Sequence, residues 1–176
     1  KGRISLSREQ LKRLLKEGVH WAIKNGYGQE GDDSCIEENG CMEEANPDFI
    51  SNRAIDRGIS QVGTLGSGNH FLEIQAVDEI YDSEAADLFG LEKGQVTVMI
   101  HSGSRGLGHQ ICSDYIKVMQ QSASRYGVKL TDRQLACAPL SSPEGRRYYG
   151  AMACAANYAM TNRQCLSHWV RATFER

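Results

Sequence analysis

Residues 63–75 read GTLGSGNHFLEIQ, and residues 95–110 read QVTVMIHSGSRGLGHQ. Each joins a glycine-rich run to a short apolar stretch. Short apolar stretches bounded by glycines predict strands, here Phe71–Val77 and Gln95–Ile100. The stretch Asp82–Phe89 between them predicts a short helix. If the two strands run antiparallel, the start of one lies beside the end of the other. His70, at the start of the first strand, would then converge with His101, at the end of the second.

Helical patterns surround this pair. Ser7 with Gln10 forms a capping box, and Leu11, Leu14, Leu15, Ala22 and Ile23 follow at helical spacing, which predicts one helix ending at Gly26. Asn46-Pro47 opens a second helix expected to run to Arg57. A third is predicted over 108–126, with Ile111, Tyr115, Val118 and Met119 facing inward. Ser142-Pro143-Glu144 starts a fourth. Its small residues, Ala151, Ala153, Ala155, Ala156 and Ala159, suit close packing against a core. The fold class is mixed α/β, an antiparallel-containing sheet with packed helices. Residues 27–46, with Glu30, Asp32, Asp33, Glu37, Glu38, Glu43 and Glu44, read as an acidic surface loop.

The 176 residues suit a single domain, and an apolar fraction of 40% is enough for a core. A net charge of −2 argues against a broad basic surface, so any RNA contact must be local. No apolar run approaches the roughly 20 residues of a membrane span. The chain opens on Lys1 and closes on Arg176 inside a helical pattern, so both ends read as cut. The six cysteines show no zinc-site spacing and are expected to be reduced thiols of a cytoplasmic protein.

The glycine-rich segments also carry the chemistry. Neither is a P-loop, because no Gly-Lys-Ser/Thr follows. Their backbone amides could still cradle a phosphate. An imidazole at a strand end, at His70 or His101, can bind a divalent metal. Arg105 can grip a phosphate through two parallel bonds. Asn69 and Glu73 offer directional hydrogen bonds. Together these groups suit metal-assisted phosphoryl chemistry. His20, His109 and His168 read as structural, capping or without a role. Asn157, Asn162 and Arg163 stand in an apolar helix either as buried contacts or as site-lining groups. On the residues alone the reading stops at metal-assisted phosphoryl chemistry, with a metal-dependent phosphoesterase built on the same histidine pair and a non-catalytic RNA-binding module both open.

The two glycine-rich segments and the stretch DRQLACAPLSSPEGRRYYGAMACAANYAMTNRQ, residues 132–164, resemble the RNA-splicing ligases of the RtcB family in the same order and at similar spacing. The resemblance implies the central part of an RtcB-like catalytic domain, truncated at both ends. It implies GTP and two manganese ions as cofactors. One ion is held through His70 and the other through His101, while Asn69, His70, Phe71, Leu72 and Glu73 meet the guanine nucleotide and Arg105 meets phosphate. The implied reaction joins RNA ending in a 2′,3′-cyclic phosphate or 3′-phosphate to a 5′-hydroxyl RNA end. It passes through a guanylylated histidine and an RNA-3′-pp-5′-G intermediate. That histidine and the metal-bridging cysteine fall outside this chain, so no residue here is assigned as catalytic. Implied partners are RNA, as tRNA halves or broken RNA, and an archaease-type activating protein.

Overall fold

Ser7 opens helix α1 (Arg8–Glu17) with a reciprocal cap. Its hydroxyl accepts from the Gln10 amide at 3.1 Å, and the Gln10 side chain accepts from the Ser7 amide at 2.8 Å. The spacing predicts one helix as far as Gly26, but the chain breaks at Gly18 (φ 57°, ψ −134°) and resumes as α2 (Val19–Lys24). The Gly40 carbonyl packs against this break, and only glycine fits there: a Cβ at Gly18 would lie 2.3 Å from its oxygen. The second predicted helix is also split. Pro47–Phe49 makes a single 3-10 turn, Ile50 is extended, and Ser51 caps a new helix, α3 (Asn52–Gly58), by accepting from the Ala54 amide.

The computed structural model describes residues 3–176. Helix α5 (Arg105–Arg125) begins three residues earlier than its spacing suggested. Ile111, Tyr115 and Met119 are buried on it as expected, whereas Val118 is 36% exposed. Helix α6 (Pro143–Phe174) runs for 32 residues from a Ser142 cap. Leu11, Leu14 and Leu15 of α1 are fully buried with Ile55, Leu107, Ala151, Ala153 and Tyr158 in one core. Each such leucine contributes about 2 kcal/mol by leaving water.

The chain forms two compact units. The larger takes in the residues up to Thr64 and Gly103–Arg176, and the smaller is Leu65–Ser102. The larger holds α1, α2, α3, α5 and α6. Polar struts tie its acidic segment down. Buried Asn157 donates to the Leu15 carbonyl (2.8 Å) and the Met42 carbonyl (3.0 Å), and accepts from the Met42 amide (2.7 Å). Arg171 holds Asp32 with two bonds of 2.6 and 2.9 Å, which lower the Asp32 pKa to about 2. Gln164 adds a third bond to Asp32. The glutamates of the segment, Glu30, Glu37, Glu38, Glu43 and Glu44, are exposed.

The smaller unit contains β1 (Phe71–Ala76), α4 (Ser83–Phe89) and β2 (Val96–His101). Asp82 caps α4 by accepting from the Ala85 amide. The strands are antiparallel, with Phe71 opposite His101 and Ala76 opposite Val96. Directly opposed residues point to one side, and successive residues alternate sides. One face is therefore wholly apolar: Leu72, Ile74 and Ala76 with Ile100, Val98 and Val96. The other carries Phe71, Glu73 and Gln75 with His101, Met99 and Thr97. Among the described residues no helix is long and apolar enough to cross a membrane.

Candidate functional site

The antiparallel register places the two glycine-rich motifs at one end of the hairpin. The His70 and His101 rings lie 6.1 Å apart, centroid to centroid, and are tilted by 59°. Phe71 packs against His101 at 5.1 Å. Glu73 shares the face of Phe71 and His101, and its carboxylate accepts from the Gln75 side chain at 2.9 Å. Leu72 points to the opposite, apolar face. Asn69 is exposed, one residue before His70. The structure thus groups His70, Phe71 and His101, sets Glu73 further along the same face, and turns Leu72 away.

Arg105 belongs to the larger unit, where it is the first residue of α5. Its φ is +54°, in the left-handed region that a residue with a Cβ enters at a cost of about 1–2 kcal/mol. Its Nε donates to the Thr64 hydroxyl at 3.2 Å, and that hydroxyl donates to the Gln61 carbonyl at 2.6 Å. The Gly106 amide, next along, donates to the Gln61 side chain. Arg105 also places a positive charge near buried Tyr158, whose pKa burial pushes up and Arg105 partly restrains.

The RtcB model, described as tRNA-splicing ligase RtcB, matches residues 1–176. The chain belongs to the RtcB family. It is 55% identical over 175 residues to a tRNA-splicing ligase RtcB of Methanococcus maripaludis, covering 99% of this chain and 36% of that protein. The same figures for a namesake of Archaeoglobus fulgidus are 54%, 99% and 36%. For that of Methanocaldococcus jannaschii they are 53%, 99% and 18%. The chain therefore spans about a third or less of the length of these relatives.

Within this RtcB chain the remaining polar candidates hold the framework. His20 pairs with Asp33 at 3.3 Å, His109 meets Arg57 at 3.3 Å, and His168 packs edge-on against Tyr27 and Trp169. Asn157 is a buried strut. Asn162 is also buried, and its carboxamide binds the Thr64 amide, the Thr64 carbonyl and the Gly103 carbonyl. Arg163 is half-buried, and desolvation lowers its pKa. All six cysteines are free. Burial pushes the Cys154 and Cys165 thiols up to about 12, so neither is a ready thiolate. Sequence reasoning took His101 and Arg105 from HSGSRG and passed over Ser102, whose hydroxyl donates to the Leu65 carbonyl at 2.7 Å. Its signal was its place directly after His101, at a strand end.

Proposed function

We propose that this chain supplies the central part of the active site of a GTP- and manganese-dependent RNA ligase. The substrates would be an RNA 2′,3′-cyclic phosphate or 3′-phosphate end and a 5′-hydroxyl RNA end. The route would run through a guanylylated histidine and RNA-3′-pp-5′-G. Family membership supports the chemistry, since the matched relatives are named tRNA-splicing ligases. The single observation that carries the site is the approach of His70 to His101 at 6.1 Å.

Two imidazoles at this separation fit neighbouring ligands of a paired-metal centre, whose ions lie about 3.5–4 Å apart. Imidazole is also a donor that first-row divalent metals accept. Among the described residues no group of three or more His, Cys, Asp or Glu side chains gathers as a ligand set. Further ligands of the proposed centre would come, as the resemblance to the family implies, from outside residues 1–176. Bound manganese would polarise phosphate oxygens. His70 and His101 would hold the ions, Asn69 and Glu73 would orient the guanine nucleotide beside Phe71, and Arg105 would bind phosphate with its planar fork. RNA, as tRNA halves or broken strands, and an archaease-type activator are the partners that go with this reading.

The test is incubation of the intact protein with manganese and radiolabelled GTP. Label that stays on the protein through denaturation supports the ligase. Phosphate release without covalent label points instead to a metal-dependent phosphoesterase using the same histidines. Residues 1–176 expressed alone should not retain GMP, because the proposed acceptor histidine lies outside them. Stoichiometric labelling of that piece would contradict this assignment.

A further inference from the structure

The loop that carries Asn69 and His70 starts and finishes on neighbouring residues. At its root, the buried Ser102 hydroxyl donates to the Leu65 carbonyl at 2.7 Å. At its other end, Phe71 pairs with His101. Ser102 and His101 are consecutive, so Gly66, Ser67, Gly68, Asn69 and His70 form a loop closed on a base of two residues. Gly66 and Gly68 hold φ of 110° and 79°, which lets so short a loop turn back. One step outward, Asn162 binds both Thr64 and Gly103, the residues that flank the 65–102 segment.

This closure has a functional consequence. A glycine-rich loop samples many conformations unless its ends are fixed, and only some of them point His70 at His101. The strand pair fixes one end. The hydroxyl of Ser102 fixes the other from a residue adjacent to His101 itself. A methyl group at this position would keep the strand but release the loop root.

We propose that Ser102 is a positioning residue for the ligand site: its hydroxyl latches the 66–70 loop so that His70 and Asn69 are presented beside His101. The role rests on His70 and His101 being metal-binding. Ser102 touches neither metal nor nucleotide in this account and acts through the loop, with Asn162 securing the chain just outside it.

The test uses Ser102→Ala and Ser102→Thr in the intact protein, with two readouts that do not involve turnover. One is hydrogen exchange of the Gly66–His70 amides, and the other is the Mn2+ titration followed by electron paramagnetic resonance. Ser102→Ala should speed exchange across the loop without speeding it in α1 or α6, and should weaken Mn2+ binding by about tenfold. Ser102→Thr, which keeps the hydroxyl, should restore both. Unchanged loop exchange in Ser102→Ala overturns the latch. Faster exchange with unchanged Mn2+ affinity overturns the positioning role. A His70→Ala control that leaves Mn2+ affinity untouched contradicts the metal assignment instead, and with it the positioning role, while the exchange data still decide whether Ser102 closes the loop.

Discussion

The two units of this chain use polar side chains in opposite ways. In the larger, Asn157, Asn162 and Tyr158 are buried and bond to the protein's own backbone, and the partly exposed Asp32–Arg171 pair holds the acidic segment. In the smaller, the polar groups that suit ligands stand at the open end of a two-stranded hairpin, and Ile74, Tyr81, Leu88 and Phe89 are exposed. A hairpin of two strands has little core of its own. The contrast teaches where each kind of residue registers. Changes in the larger unit should be felt as stability, and changes in the hairpin as binding.

The largest effect on folding is expected at Asn157. Replacement by Ala takes the carboxamide away from the Met42 amide, the Met42 carbonyl and the Leu15 carbonyl in a largely buried setting, which costs about 3 kcal/mol, although the Met42 carbonyl keeps the Ala45 amide. Chemical denaturation should show it as a lower midpoint with an unchanged slope. A change near zero would mean that water replaces the carboxamide, and the division between units would blur.

Arg105, in the helical unit, is the proposed phosphate-binding residue. Arg105→Lys should slow ligation by the intact protein about a hundredfold, because a point charge does not reproduce the planar fork. Thermal stability should barely move. Arg105→Gly sharpens the point: it removes the left-handed backbone cost at φ +54° while losing the guanidinium, so the variant should fold at least as well and ligate poorly. Wild-type ligation rates for the Lys variant would contradict the phosphate-binding role.

These expectations also mark how far the sequence was readable. Both strands and the bounds of α4 were legible to within a residue, because their glycine and polar punctuation acts locally. The breaks at Gly18 and Ile50 were not. The apolar spacing runs on through Gly18, where the chain leaves the helix with φ 57° against the Gly40 carbonyl, distant in sequence and close in space. The Ser51 cap was visible in principle but lay inside a pattern already attributed to Asn46-Pro47. His70 and His101 were legible as a pair only on the condition that the strands run antiparallel, because the connection over residues 77–95, with α4 inside it, is long enough for either direction. The roles of Asn157, Asn162 and Ser102 were not, because their partners, Met42, Thr64 and Leu65, are set by tertiary contacts and not by spacing.

A smaller effect should follow pH. Arg171 holds Asp32 at a folded pKa of about 2, below the ordinary 3.8. The pair's stabilisation is therefore complete above about pH 4 and fades as pH falls through about 2. Asp32→Asn should cost about 1–2 kcal/mol near neutral pH, discounted because Arg171 keeps solvent contact, and the gap from wild type should close in acid. A gap independent of pH would show that packing, not charge, holds the acidic segment. Smallest of all, His70→Ala and His101→Ala should shift folding stability by no more than about 0.5 kcal/mol, as surface substitutions do.

The central claim is that His70 and His101 serve one metal centre, and a double-mutant cycle on Mn2+ affinity in the intact protein tests it most directly. Wild type, His70→Ala, His101→Ala and the double variant would be titrated under one set of conditions. Each single change should weaken binding strongly, and the double variant should bind no more weakly than the worse single one, because groups acting as one unit are not additive. Losses that add independently, or single variants that bind as wild type does, would contradict it.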